Sequence, residues 1–180
     1  NDPNDIVFEL SKEQPKLKPY YISVKKLIPL MMKIEADMVV MTTPDLDNYY
    51  IKRSLMKKDI EYVFVPHDPS SMHMSFKEHS LDNFDTVFCT GEHIAKEVRA
   101  SEKVYATKEK TLVEFGYPLI EDLIKSCEGL QKAEGQKKQI LIAPSWQEDN
   151  LLDSCIEDII DGLYANDYKI IVRPHPEYVK

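Results

Sequence analysis

Six short apolar runs punctuate the chain, and each ends on residues that stop a strand. They are Met38–Val39–Val40–Met41, Tyr62–Val63–Phe64–Val65, Thr86–Val87–Phe88–Cys89, Leu112–Val113–Glu114–Phe115, Ile140–Leu141–Ile142–Ala143 and Lys169 to Val172. Thr42–Thr43–Pro44, Pro66, Thr90–Gly91, Gly116–Tyr117–Pro118, Pro144 and Arg173–Pro174–His175–Pro176 follow them in turn. Between the runs the pattern shifts to a helical period. Glu92 to Arg99 reads this way, and Leu119, Ile120, Leu123, Ile124 and Cys127 fall on one helical face. Leu151, Leu152, Cys155, Ile156, Ile159, Ile160 and Leu163 form the cleanest stripe, with Asp149 and Asn150 available as caps. Thr43 and Pro44 predict a helix start after the first strand, a hydroxyl cap followed by proline at the first helical position. Continuous rather than alternating runs suit strands buried on both faces. With helices between them, they predict an α/β fold built on parallel sheet.

Two segments depart from this alternation. Residues 1–37 are rich in Lys and Pro, and Pro29 interrupts any long helix there. Residues 125–139 are polar, hold two glycines and read as a helix end plus a linker between two lobes. The sequence stops at Lys180, straight after the last strand signal, which reads as an excised piece of a longer protein.

Composition narrows the function classes. Acidic residues outnumber basic ones 31 to 23, a net charge of −8 that speaks against a nucleic-acid partner. The longest apolar stretch, Leu27 to Met32, falls far short of the roughly 20 residues a spanning helix needs. No signal-peptide pattern opens the sequence either, so a cytoplasmic location is expected. The five glycines include no G-x-G, and Gln136 stands where a P-loop needs lysine. The three cysteines lack any C-x-x-C and read as small buried hydrophobes in a reducing compartment.

Ligands of parallel sheets sit at the carboxyl ends of the strands, and those ends hold the candidate residues. His67 is either a turn histidine or a general base, since an unperturbed imidazole titrates at about pH 6.5. Asp68 beside it reads as a turn residue. Thr90–Gly91 opens a helix and offers either free backbone N–H groups to an anion or a simple capped turn. Ser145–Trp146 either stacks a base or sugar on the indole or packs it. Arg-Pro-His-Pro at 173–176 is more specific. Its prolines hold the backbone extended, and a guanidinium and an imidazole at alternate positions make a grip for a phosphate or diphosphate, the alternative being a plain strand exit. His67, His73 and His79 place no two rings on one helix face, and no H-E-x-x-H occurs, so no metal site is expected.

Gly-Tyr-Pro at 116–118, ILIAPSWQEDN at 140–150 and IVRPHPEYVK at 171–180, with His67 upstream, resemble the CDP-glycerol glycerophosphotransferases, the bacterial teichoic-acid and capsule polymerases and primases. The resemblance runs from about Ala36 to Lys180 and is most specific after Gly116. It implies two Rossmann-like domains of GT-B architecture. Residues 1–118 would be the later part of the N-terminal, acceptor-side domain, and 119–180 the start of the C-terminal, donor-nucleotide domain. The implied partners are CDP-glycerol or a related CDP-polyol, and a polyol-phosphate polymer or lipid-linked acceptor, with no cofactor. The implied reaction is attack of an acceptor hydroxyl on the glycerol-bearing phosphorus, expelling CMP. On this reading His67 and His175 are catalytic, and Arg173, Ser145, Trp146, Thr90 and Gly91 bind substrate.

Two departures accompany the resemblance. The family usually shows Trp-His-Gly-Thr where this chain has Pro66–His67–Asp68–Pro69. Its later donor-domain segment, whose Ser and Asp residues help hold the nucleotide, does not appear, so the 180 residues alone are expected to be inactive. Two other readings stay open: a UDP-sugar 2-epimerase-like enzyme of the same architecture, and a catalytically silent binding domain, which the changed residues around His67 favour. Finally, Lys12, Lys16, Lys18, Lys25, Lys26 and Lys33 face only Glu13 in charge. They form either a solvated helix face or a peripheral contact with an anionic membrane surface on its cytoplasmic side.

Overall fold

All six expected strands form, each within one residue of the apolar run that predicts it. β1 (Met38–Met41), β2 (Glu61–Phe64), β3 (Thr86–Cys89) and β4 (Thr111–Glu114) make a parallel sheet in the order β1-β2-β3-β4. β5 (Gln139–Ile142) pairs in parallel with β6 (Lys169–Val172). In the computed structural model, which describes residues 5–130 and 137–179, the two sheets belong to separate units, one running to Ser126 and one from Cys127. Helices α1 (Val7–Glu13), α2 (Val24–Lys33), α3 (Met72–Ser75), α4 (Glu92–Tyr105) and α5 (Pro118–Cys127) punctuate the first part of the chain, α6 (Leu151–Ser154) and α7 (Ile156–Ala165) the second. The fold is α/β with parallel sheets, as the periodicity implies.

The core of the first unit gathers on one face of its sheet. Val39, Tyr62, Phe64, Val87 and Cys89 alternate onto that face and meet Met72 of α3 and Ile94 and Val98 of α4. Phe64, fully buried, takes Phe76 and Phe84 edge-on at centroid distances of 5.6 and 5.4 Å. α4 hands the chain to β4 through Ala106, which is left-handed at φ 52°, and through buried Glu102, which accepts from the Lys110 amide and Arg99 at 2.7 Å each.

Asp85 pins the starts of three strands. Its amide donates to Tyr62 O at 2.9 Å, its carbonyl accepts from Thr111 N at 2.9 Å, and its Oδ2 accepts from Tyr62 N at 3.0 Å and Arg53 Nη2 at 3.1 Å. Arg53 also lies 4.3 Å over the Tyr62 ring and donates to Asn83 O at 2.6 Å. Burial pushes the Asp85 carboxyl up, but the Tyr62 amide and the Arg53 guanidinium outweigh it and hold the group below its ordinary range.

Several expectations need correction. No helix starts at Thr43–Pro44: Asp45 and Asp47 turn left-handed at φ 68° and 65°, and the loop is held by burial of Leu46 and by Asp45 N donating to Ser80 O at 2.8 Å. Pro29 sits inside α2 instead of ending it. The stripe from Leu151 to Leu163 is two helices rather than one, broken at Cys155 (φ −145°, ψ 18°). Ser154 Oγ there donates to Asn150 O at 3.1 Å. Only β2 and β3 are largely buried on both faces; β1 and β4 are edge strands, and none of β5 or β6 is buried. α5 forms, but its apolar positions Leu119, Ile120, Leu123 and Ile124 are exposed. Of the cysteines only Cys89 is buried, while Cys127 and Cys155 are exposed. Part of the expected linker, 131–136, lies outside the described residues.

Asp85→Asn removes the charge while keeping the shape, and is expected to lower stability by about 1–3 kcal/mol at pH 7 in urea titrations. A depressed carboxyl contributes stability that is full above its unfolded value of about 3.9 and is lost as pH falls through its folded value. The gap between wild type and variant should therefore close below about pH 4.

Candidate functional site

Parallel strands bring the exits of β2, β3 and β4 to one end of the first sheet. At the β2 exit Val65 N still pairs with Met41 O at 2.9 Å, Pro66 is buried, and the His67 side chain is 67% exposed. Asp68 is the turn residue the sequence suggests, and it also flanks the histidine. Its Oδ1 accepts from the Ser70 amide at 2.8 Å and from the Ser70 hydroxyl, while Oδ2 lies 3.5 Å from His67 Nε2. The Ser70 hydroxyl and amide, with a smaller contribution from His67, hold the Asp68 carboxyl below its ordinary range.

At the β3 exit Gly91 caps α4 in extended conformation, φ −176°. A Cβ there would fall 2.9 Å from His93 Nδ1, so the glycine leaves room for that ring. The room is used: His93 Nε2 lies 3.1 Å from Pro69 O. Thr90 Oγ1 is buried with no hydrogen-bond partner among the described residues. At the β4 exit Gly116 takes φ 73°, where a side chain is disfavoured, and the turn it makes precedes Tyr117. The Tyr117 hydroxyl donates to His67 O at 3.0 Å.

The second unit repeats the arrangement with two strands. The register Ile142↔Val172 sets the β5 and β6 exits side by side, about 4.8 Å apart, and Arg173 N extends the ladder to Ile142 O at 2.8 Å. Ser145 and Trp146 leave β5 exposed, the indole at 60%. Arg173 is exposed, and its guanidinium makes no hydrogen bond or ion pair among the described residues. His175 Nδ1 accepts from Glu177 N at 3.1 Å, which assigns the proton of the neutral ring to Nε2. Tyr178 fastens this turn to α6: its amide donates to His175 O at 2.9 Å and its hydroxyl to Asp153 Oδ1 at 2.5 Å, a bond that pushes the phenol pKa up. Asn150, the expected cap, accepts from Leu152 N at 2.7 Å.

His67, Thr90 and Gly91 thus share the exit end of the first sheet, and Ser145, Trp146, Arg173 and His175 that of the second. Among the described residues no three His, Cys, Asp or Glu side chains gather as a metal-binding group. Sequence reasoning did not single out His93, Glu97 or Tyr178. The i, i+4 spacing of His93 and Glu97, just after a strand exit, was the available signal.

The protein-family model described as CDP-glycerol:poly(glycerophosphate) glycerophosphotransferase matches residues 67–180, more than half of the chain. The chain belongs to this family. No curated protein and no solved structure matches it. The glycerophosphotransferase match opens on His67 and takes in every candidate residue of both units. Phosphoryl transfer asks a protein for positioning and for stabilisation of charge more than for covalent chemistry, and imidazole, guanidinium and backbone N–H groups are the types of group that can supply both.

Proposed function

We propose that this glycerophosphotransferase moves glycerol phosphate, or a similar polyol phosphate, from a CDP-linked donor to a hydroxyl of a teichoic-acid- or capsule-type acceptor and releases CMP. The observation that carries this reading is the extent of the family match, from His67 to the Arg173–Pro174–His175–Pro176 turn. The first unit serves the acceptor and the second the donor nucleotide. His67 takes the proton of the attacking hydroxyl as its oxygen bonds to the glycerol-bearing phosphorus. The bond from that phosphorus to the bridging oxygen breaks, and CMP leaves with the electron pair. Arg173 neutralises the diphosphate, and His175 donates from Nε2 to one of its oxygens. Trp146 stacks the cytosine beside the Ser145 hydroxyl, and Thr90 with Gly91 receives an acceptor phosphate at the start of α4.

We further propose a peripheral position on the cytoplasmic face of a membrane. α2 exposes Val24, Ile28 and Leu30 beside Lys25, Lys26 and Lys33, with Tyr20 and Tyr21 exposed just before it. Among the described residues no helix is long and apolar enough to cross a membrane. Sedimentation with vesicles containing anionic lipid should pellet the protein at low salt and release it at high salt; no pelleting at low salt would remove this part of the proposal.

Trp146 is the sole tryptophan, so its fluorescence reports the donor site directly. CDP-glycerol and CMP should quench it, and Arg173→Ala should weaken CDP-glycerol binding by about tenfold or more. An equal response to a UDP-sugar would favour an epimerase-like enzyme, and no response to either would sink the donor assignment.

Turnover is assayed as CMP release with a glycerol-phosphate primer. None is expected from the 180 residues alone. Release above the blank would overturn that expectation, and its loss in His67→Ala would then assign the base.

A further inference from the structure

The loop that carries His67 is tied from the exits of β3 and β4, by Glu97, His93 and Tyr117, which all lie outside the loop. From α4, Glu97 accepts from Ser71 Oγ at 2.6 Å and from Met72 N at 2.7 Å. One helical turn earlier on the same face, His93 meets Pro69 O at 3.1 Å. From beyond β4, Tyr117 reaches past the β3 exit and donates to His67 O at 3.0 Å. Burial pushes the Glu97 carboxyl up, but the Ser71 hydroxyl and Met72 amide outweigh it, so the group lies below its ordinary range and keeps accepting at neutral pH. The imidazole that these bonds surround is mostly in water, with Asp68 Oδ2 at 3.5 Å beside it. A ring packed so little is placed by its backbone alone, because no packed neighbour fixes it.

We infer that Tyr117 and Glu97 are positioning residues for His67. They hold the backbone from Pro66 to Met72 still, so that the imidazole reaches for the acceptor hydroxyl from a fixed point on the rim, with only its own side-chain torsions left to settle. The inference rests on the reading of His67 as the base. A base must lie within hydrogen-bond reach of its proton, and loop freedom removed in advance is freedom that the reacting complex need not lose. Asp68 orders the turn from within, through Ser70, while Tyr117 and Glu97 fix where that turn sits on the sheet.

The test uses the 180-residue chain and NMR, and needs no substrate. Tyr117→Phe deletes one hydroxyl whose acceptor is a carbonyl, so no amide loses its partner directly. It should nevertheless speed exchange of the Ser70 and Met72 amides by about fivefold or more and shift the His67 ring signals toward those of an unstructured peptide. Glu97→Gln should do the same at Ser70 and at the His67 ring. Amides within β2 and β3 should stay within about twofold of wild type in both variants.

Unchanged His67 ring signals in Tyr117→Phe would overturn the inference. So would an equal rise in exchange across β2 and β3, because the ties would then serve only general stability. If the donor-binding measurements fail, the proposed transfer falls, while these signals still decide whether the loop is held.

Discussion

Asp85 stands just before β3 and reaches β2 and β4 as well, through an amide, a carbonyl and a carboxylate that each bond a different part of the neighbouring strands. The strands it joins are only four residues long, so the register set at their starts decides which residue emerges at their ends. A slip of one residue would turn Phe64 and Val87 out of the core and carry His67 and Gly91 to other places on the rim. Arg53 reinforces the node by covering the Tyr62 ring and bonding the same carboxylate. The placement of the exits at one end of the sheet therefore depends on an ion pair at the opposite end, which never meets them.

The two units hold their histidines by different means. In the second, the support is local: Glu177 and Tyr178 follow His175 closely in the chain, and Asp153 is reached from the same turn. Occupying Nδ1 as an acceptor leaves His175 a donor at Nε2, as the proposed contact with a diphosphate would need. In the first unit the support comes from distant segments, α4 and the β4 exit, and it grips the backbone of His67 rather than its ring. The ring itself meets only Asp68 Oδ2, at 3.5 Å, and stands mostly in water.

Much of this was legible in the sequence, for physical reasons that can be named. Pro66, Gly116 and Pro144 end their apolar runs abruptly, so the strands, and the residues just past them, were placed closely. The stretch between β1 and β2 misled because its order comes from left-handed Asp45 and Asp47 and from long-range bonds. Arg53 reaches Asn83, and Ser54 Oγ reaches Ile34 O at 2.7 Å. The break at Cys155 escaped because the apolar stripe continues through it. Around His67 two of the acceptors are main-chain carbonyls, His67 O and Pro69 O, and a carbonyl leaves no mark on residue identity. Tyr117 and His93 could be seen in the sequence, but what they bond could not.

The bond from Tyr117 to His67 joins residues 50 apart in the chain. Closing so long a loop has an entropic cost that a single hydrogen bond cannot meet, so its ends come together only once β3, α4 and β4 have been laid between them. Strand pairing and core burial can proceed without that contact, but the clasp cannot precede them. The order of events along the folding route is thereby set: a chain that has built most of its sheet still lacks a fixed rim, and the surface around His67 is among the last parts to acquire its shape.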